Sequence, residues 1–108
     1  MGVSFDKIDG FIWFDGKLVP WAEANVHILT HGLHYASCVF EGERAYGGKV
    51  FRSTAHSERL KRSANILDFE IPYSVAEIDA AKQVVIDSNH LPDAGFRSAC
   101  GHSVQPKN

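Results

Sequence analysis

The chain has 108 residues, 44% of them hydrophobic and 22% charged, with a formal net charge of −2 at pH 7. That length and composition are typical of one ordinary globular domain and exclude a disordered chain. A slightly negative chain lacks the broad basic surface that attracts nucleic acid or an anionic membrane, so we expect neither as a partner, and any bound anion should be small and held locally.

Cysteine usage and the amino terminus indicate where the protein works. The two cysteines, Cys38 and Cys100, show no C-x-x-C spacing, which fits a reducing compartment better than a disulfide-framed secreted domain. The amino terminus, MGVSFDKIDG, contains no apolar segment of the kind found in signal peptides, and no run reaches the roughly 18 apolar residues of a membrane span. We therefore expect a soluble, cytoplasmic protein.

The first predicted elements form a β-hairpin. The apolar runs FIWF and KLV are joined by Asp15 and Gly16, a pair that suits the positive φ angles of a two-residue turn, so strands are predicted over 11–14 and 17–19. Pro20 ends the second strand because it has no backbone N–H to donate.

A second hairpin is predicted after a loop. The short apolar stretch 26–29 should pass beneath the sheet, and strands are predicted over 38–46 and 49–52. Gly47 and Gly48 lie between these strands and are a favourable turn pair.

Two helices complete the pattern. The first is predicted over about 54–68 with Ser53 or Thr54 as its cap, and the second begins at an S-x-x-E capping box made by Ser74 and Glu77. Apolar residues at helical spacing form the expected buried stripes, which are Leu60, Ala64 and Leu67 on the first helix and Ile78, Ala81 and Val85 on the second, before a stop near Asn89. Strands followed by helices predict an α+β fold, with an antiparallel sheet built from hairpins and two helices.

The predicted strand 38–46 mixes residue types that a purely structural strand does not need. Alternate residues of a strand share a face, which places Phe40, Gly42, Arg44 and Tyr46 on one side and Val39, Glu41, Glu43 and Ala45 on the other. An aromatic ring, a glycine gap and a guanidinium on one face suit a pocket for a small amphiphilic anion. The alternative is a half-buried edge strand whose arginine extends to water.

Two other groups have both a functional and a structural interpretation. Arg59 borders the buried stripe of the first helix, where its guanidinium either binds a phosphate or simply covers the rim of the core. His27, His31 and His34 are close in sequence but lack a carboxylate partner and the H-E-x-x-H arrangement. Hydrogen bonds that anchor the loop are therefore favoured over a zinc site, and no metal ligand is assigned.

Together these segments resemble the branched-chain amino-acid aminotransferases, pyridoxal-phosphate enzymes of fold type IV. The motifs that match are IWFDGKLVPW, VHILTHGLHYASCVFEGERAY, HSERL and IPYS, in one order within about residues 11–97. The resemblance implies the small amino-terminal domain of such an enzyme. Residues 1–10 would be an amino-terminal extension, 11–97 the aminotransferase-like domain and 98–108 a divergent tail.

The resemblance also implies roles for individual residues. Arg59 would bind the phosphate of the cofactor, pyridoxal 5'-phosphate. Tyr35 would reach the pocket of a neighbouring subunit, which implies a homodimer, and Arg97 would recognise acidic substrates. The substrate side would be lined by three residues of one strand, Phe40, Gly42 and Arg44.

The sequence departs from the family pattern in three respects. Gly95 stands where a tyrosine of the active site is usual, and Ser98 stands where a proline is usual. The larger carboxyl-terminal domain is not matched, and with it the lysine that would hold the cofactor as a Schiff base and move the proton. No catalytic residue is therefore assigned, and the chain alone is expected to be inactive.

Two functions remain open from the sequence. The chain is the small domain of a transaminase that moves the amino group of leucine, isoleucine or valine to 2-oxoglutarate, or it is a non-catalytic domain that binds a partner chain or a small anion. A large domain in the same reading frame, carrying the Schiff-base lysine, would distinguish the first from the second.

Overall fold

Antiparallel strands and helices pack together in an α+β fold, which confirms the fold class predicted from the sequence. The structure is a computed structural model that describes residues 8–101. The predictions made for 1–7 and 102–108 lie outside the described residues. Within 8–101, every helix is too short or too polar to cross a lipid bilayer.

The first hairpin forms as predicted, with β1 over Phe11–Phe14 and β2 over Lys17–Pro20. Its turn residues Asp15 and Gly16 have φ angles of 49° and 100°, the left-handed region that a two-residue turn requires. Pro20 is the last residue of β2 because an edge strand tolerates a missing N–H. A 3₁₀ turn over Trp21–Glu23 follows.

The second sheet has three strands in the order β4-β3-β5, namely β3 over Cys38–Tyr46, β4 over Lys49–Val50 and β5 over Ala94–Gly101. β3 is thus the middle strand in order, but β4 pairs only with Ala45 and Tyr46. Among the described residues, the interpretation of β3 as a half-buried edge strand therefore holds for Cys38–Glu43 and is wrong for the end of the strand. β4 ends before the predicted residue 52 because Arg52 turns into a left-handed conformation, with φ 52°.

β5 pairs with β3 over a longer stretch than the sequence indicated. The register runs from Cys38 opposite Gly101 to Ala45 opposite Ala94. Ser98–Gly101, which the sequence interpretation placed in a divergent tail, therefore continue the strand. The division into 1–10, 11–97 and 98–108 stays a prediction, and strand pairing crosses its second boundary.

Helix α3 spans Val75–Ser88, and its predicted capping box is confirmed. Ser74 Oγ accepts from the Glu77 N–H at 3.1 Å, and Glu77 Oε1 accepts from the Ser74 N–H at 3.0 Å. The helix ends at the predicted Asn89, whose side-chain amide bonds to both the N–H and the carbonyl of Phe11. This contact fixes the first hairpin against α3.

Helix α2 spans Ser53–Ile66, but the predicted cap is wrong. The residue at the cap position is Arg52, and no side chain caps the helix. Ser53 and Thr54 instead donate their hydroxyls to the Asp79 carboxylate of α3, at 2.8 and 2.7 Å. The two hydroxyls that were predicted to cap α2 therefore bond to α3 instead.

The core lies between α2, α3 and one face of β3. Its buried apolar members are Val39, Leu60, Ala64, Phe69, Ile71 and Ile78. The stripe predicted for α3 is only partly right, since Lys82 and Ile86 are buried while Ala81 and Val85 are half-buried. Leu67 is exposed. Lys82 can be buried because it pairs with the Glu43 carboxylate.

The segment between the two sheets differs most from the prediction. Val26, Ile28 and Leu29 are all more than half exposed and do not pass beneath the sheet. That space is already filled by α2 and α3. A short helix, α1 over His31–Tyr35, follows and ends at Ala36 in a left-handed conformation, with φ 58°. The sequence had indicated only a loop running into a strand.

Candidate functional site

The two faces of β3 are as different as the alternation predicts. Along Cys38–Tyr46, buried and exposed residues alternate without exception. The exposed face carries Phe40, Gly42, Arg44 and Tyr46, and the buried face carries Val39, Glu41, Glu43 and Ala45. Each face therefore has its own chemistry, an open cationic and aromatic surface on one side and two carboxylates on the other.

The exposed face is completed by β5. The register places Gly42 opposite Arg97 and Arg44 opposite Gly95. The Arg97 guanidinium lies over the Phe40 ring, 4.7 Å from its centroid. Four residues predicted for the substrate site thus lie together on one face, namely Phe40, Gly42, Arg44 and Arg97.

Gly42 and Gly95 lie on this face, each directly opposite one of the two arginines. A Cβ added at Gly42 would meet no atom within 4 Å, and one at Gly95 would meet Arg44 Nη1 at an ordinary 3.7 Å. Neither glycine has a positive φ angle, so the backbone does not require it. A glycine within a strand often marks close approach by a ligand or another backbone. At Gly95 the Arg44 guanidinium lies over the position that a side chain would occupy, whereas the space over Gly42 is open.

Arg44, like Arg97, stacks on an aromatic ring. Its guanidinium lies 5.7 Å from the centroid of the Tyr46 ring. Because Phe40 and Tyr46 are at opposite ends of this part of β3, the two cation–π pairs lie on either side of Gly42. The exposed face thus carries a guanidinium and an aromatic ring at each end, groups that suit a small acidic molecule with an apolar part.

The buried face holds Glu41, which binds two cationic or polar partners on α2. Arg59 Nε donates to Glu41 Oε2 at 2.8 Å, and Arg59 Nη2 donates to Oε1 at 2.7 Å. His56 Nδ1 lies 2.6 Å from Oε1 and donates to it, since a carboxylate can only accept. The Arg59 guanidinium holds the pKa of Glu41 down at about 2, against a burial that acts to raise it.

Arg59 is on the helix side of the sheet, whereas Phe40 and Gly42 are on the other side. The structure therefore does not place Arg59 in the cluster with the four sheet residues. β4 pairs with just Ala45 and Tyr46, so among residues 8–101 no strand pairs with Cys38–Glu43 on the side of β3 away from β5.

Glu43 leads to a second buried network, which the sequence analysis missed. Its Oε1 lies 2.9 Å from Lys82 Nζ, and both side chains are almost fully buried. Lys82 also donates to Ser57 Oγ at 2.6 Å, and Ser98 donates to Glu43 Oε2 at 3.0 Å. The sequence did contain a signal for this network, namely the two glutamates on the inward face of β3. A buried carboxylate requires a cation or several hydrogen-bond donors as partners.

The remaining predicted residues lie apart from the sheet face. Tyr35 is on α1 and is 72% exposed, with its ring against His31. His27 Nδ1 accepts from the Leu29 N–H, and His34 Nε2 donates to the Ile28 carbonyl. These bonds anchor the loop, as the alternative to a metal site predicted. Within the described part of the chain, no group of His, Cys, Asp or Glu side chains is arranged to hold a metal ion.

Comparison with known proteins gives one consistent family. Residues 38–101, from β3 to β5, match the family described as amino-transferase class IV. The probable branched-chain-amino-acid aminotransferase of Rickettsia felis is 48% identical over 95 residues, and the branched-chain-amino-acid aminotransferase of Pseudomonas aeruginosa is 48% identical over 99 residues. Each alignment covers 88% of this chain but only 33% and 32% of the relative. The chain thus spans about a third of the length of these relatives.

Solved structures agree with this assignment. The branched-chain amino acid aminotransferase from Escherichia coli superposes with a TM-score of 0.82 at 38% identity, over 93% of this chain and 37% of that one. The branched-chain aminotransferase from Thermoproteus uzoniensis, solved with norvaline, also gives a TM-score of 0.82 at 37% identity, over 86% of this chain and 33% of that one. Since the family match covers more than half of the chain and includes its central sheet, the chain belongs to the class IV aminotransferases.

Proposed function

We propose that this chain forms the small domain of a branched-chain amino-acid transaminase. The complete enzyme would use pyridoxal 5'-phosphate to move the amino group of leucine, isoleucine or valine to 2-oxoglutarate. The grouping of Phe40, Gly42, Arg44 and Arg97 on one open sheet face carries the proposal. The names of the relatives support the choice of substrate class.

The residues present fit the phosphate end of the cofactor. Arg59 bonds to Glu41 through Nε and Nη2, which leaves the Nη1 end of its guanidinium available, and 60% of its side chain is exposed. Arginine pairs with phosphate through such a fork of donors. We therefore assign phosphate binding to Arg59. When bound, the cofactor would supply the electron sink that amino-group transfer needs.

The exposed face of β3 and β5 carries groups suited to the two kinds of side chain that such an enzyme must accept. The Phe40 ring offers an apolar surface to leucine, isoleucine or valine. The Arg97 guanidinium, which lies against that ring, offers a cation to the second carboxylate of glutamate or 2-oxoglutarate. Gly42 leaves room for either substrate to approach the sheet.

Proton transfer would come from outside this chain. Among the described lysines, Lys82 is buried against Glu43, and Lys61 donates to the carbonyls of Ile71 and Tyr73. Lys17 is on the first hairpin, and Lys49 lies opposite Tyr46 at the end of the exposed sheet face. None of the four matches the Schiff-base lysine of the family. We assign no catalytic residue here and expect the chain alone to be inactive.

We further propose a cytoplasmic homodimer as the working form. Tyr35 stands out from α1 beside the exposed Leu33, so it is accessible to the pocket of a second subunit. Neither Cys38 nor Cys100 forms a disulfide within the described residues, which is compatible with a reducing compartment.

The proposal is tested by Arg59→Ala in the protein expressed from its complete natural reading frame. Loss of a charge-assisted hydrogen bond costs about 1.5–3 kcal/mol, so pyridoxal 5'-phosphate should bind roughly 10–150 times more weakly. Arg62→Ala, an exposed arginine of the same helix, is the control and should leave the Kd unchanged. Equal affinities for all three proteins would remove Arg59 from the site. Wild-type cofactor binding without any leucine-dependent amination of 2-oxoglutarate would favour the non-catalytic, anion-binding alternative.

A further inference from the structure

Glu41 and Arg59 contact each other edge to edge. The carboxylate takes the Nε–Nη2 edge of the guanidinium with two bonds, at 2.8 and 2.7 Å. This side-on pairing fixes the plane of the guanidinium and leaves its outer Nη1 end unoccupied by Glu41. A bidentate pair of this kind determines orientation as well as energy.

The two partners differ greatly in mobility. Glu41 is 4% exposed and belongs to the central strand of the sheet, so its position is set by the fold. Arg59 is 60% exposed, and a free arginine side chain loses about 2 kcal/mol of rotamer entropy when it is fixed. The buried carboxylate therefore fixes the head of an otherwise flexible side chain before any ligand arrives.

His56 fixes the carboxylate in turn. Its Nδ1 donates to Glu41 Oε1, the same oxygen that accepts from Arg59 Nη2. The low pKa of Glu41, held down chiefly by Arg59, keeps the group ionised and accepting at any neutral pH. Because Glu41 is buried and Arg59 extends past it into solvent, the negative charge stays behind the guanidinium.

We propose that Glu41 is a positioning residue for phosphate binding: with His56 behind it, it holds the side edge of Arg59 so that the outer end faces the cofactor phosphate. This inference rests on the proposed function, in which Arg59 binds that phosphate. The opposite possibility is that Glu41 competes with phosphate for Arg59. The two differ in sign, because a competitor would strengthen phosphate binding when removed.

Glu41→Gln, in the protein from its complete reading frame, tests the proposal. The amide keeps the shape of the carboxylate but loses its charge and one of its two acceptors. The measured quantity is the ratio of the Kd for pyridoxal to the Kd for pyridoxal 5'-phosphate, which isolates the phosphate contribution. We expect this ratio to fall about tenfold, by analogy with the hydrogen-bond partners of metal ligands, whose loss weakens metal binding by about that factor or more. Glu58→Gln, an exposed glutamate next to Arg59, is the matched control and should keep the ratio unchanged.

The same substitution in an Arg59→Ala background separates positioning from general damage to the fold. If Glu41 acts through Arg59, Glu41→Gln changes the ratio no further once Arg59 is gone. If Glu41→Gln does not fold by circular dichroism, Glu41→Asp, which keeps the charge but shortens the reach, is measured in both backgrounds by the same criteria.

Each outcome decides the question. An unchanged or increased ratio in the Glu41 variant, together with a loss in Arg59→Ala, overturns the positioning role and leaves the proposed function intact. The same holds for a further loss in the Arg59→Ala background. An unchanged ratio in both single variants overturns the role of Arg59 as well, and with it the proposed phosphate site.

Discussion

Two glutamates on the buried face of β3 are held in different ways. Glu41 pairs with Arg59, whose side chain is largely in solvent, and with His56. Glu43 pairs with Lys82, which is itself buried and further bonded to a serine hydroxyl. In the first arrangement the Arg59 guanidinium still has N–H donors exposed to solvent, whereas in the second both the Glu43 carboxylate and the Lys82 ammonium are buried. Only the first is therefore suited to binding a ligand.

The Glu41 pairing predicts a specific loss of stability in acid. Its pKa is about 2 in the folded protein against an ordinary 4.5, so the stabilisation is fully present above pH 4.5 and is lost as the pH falls towards 2. After allowance for the solvent around Arg59, we expect about 2 kcal/mol from this group. Urea unfolding at pH 6 and pH 3 measures it, with Glu41→Gln as the comparison.

The substituted protein should show a smaller difference in unfolding free energy between the two pH values. Asp79 also has a lowered pKa and contributes to the acid loss in both proteins, so only the difference between them reports on Glu41. Identical pH dependence in the two proteins would contradict this account.

At the scale of elements, α2 and α3 are joined through one carboxylate. Asp79 accepts the hydroxyls of Ser53, Thr54 and Ser57, all in the first turns of α2, at 2.6–2.8 Å. Burial acts to raise the pKa of Asp79, but these hydroxyl donors and Lys82 lower it overall. A negative charge at this end of α2 also complements the helix dipole. The carboxylate therefore links α3 to the first turns of α2.

Asp79→Ala should accordingly destabilise the domain by about 2 kcal/mol, since three hydroxyls lose an acceptor and Lys82 loses a nearby charge. Asp87→Ala is the control on the same helix, because the Asp87 carboxylate is exposed and, within 8–101, accepts only from the Gln83 amide. It should change stability by less than about 0.5 kcal/mol. Thermal unfolding of the two variants measures this difference. Equal melting temperatures would exclude a stabilising role for the Asp79 contacts between α2 and α3.

At the scale of the whole molecule, the segment 26–35 presents an apolar surface. Five large apolar side chains in it are more than half exposed, namely Val26, Ile28, Leu29, Leu33 and Tyr35. Exposed apolar residues grouped along one segment often mark a contact with another surface. The segment includes Tyr35, the proposed subunit contact.

We expect the 108-residue chain by itself to self-associate through this segment. Replacing Ile28 and Leu33 together by serine should lower the weight-average mass in sedimentation equilibrium, because it removes exposed apolar area without touching the core. Ile66→Ser, at an exposed apolar position at the end of α2, is the control and should leave the mass as it is in the wild-type chain. A mass equally unchanged in the double variant would contradict a role for the segment.

The sequence by itself determined the features that depend on neighbouring residues. The turns at Asp15-Gly16 and Gly47-Gly48 and the capping box of α3 are local, because the chemistry that forms them lies within a few residues. The alternation along β3 is equally local, so Phe40, Gly42 and Arg44 could be placed on one exposed face without coordinates. The resemblance to the family then predicted a ligand for that face.

Only the tertiary structure decided which groups meet across the core. Three such contacts depend on how α2 and α3 pack on β3. Arg59 pairs with Glu41, and Lys82 is buried against Glu43. Ser53 and Thr54 donate to Asp79 instead of capping α2. The tertiary structure also placed residues 26–29 outside, because the helices already fill the space beneath the sheet. A charge is buried only when its partner arrives from elsewhere in the chain, and a periodic pattern along one segment carries no information about that partner.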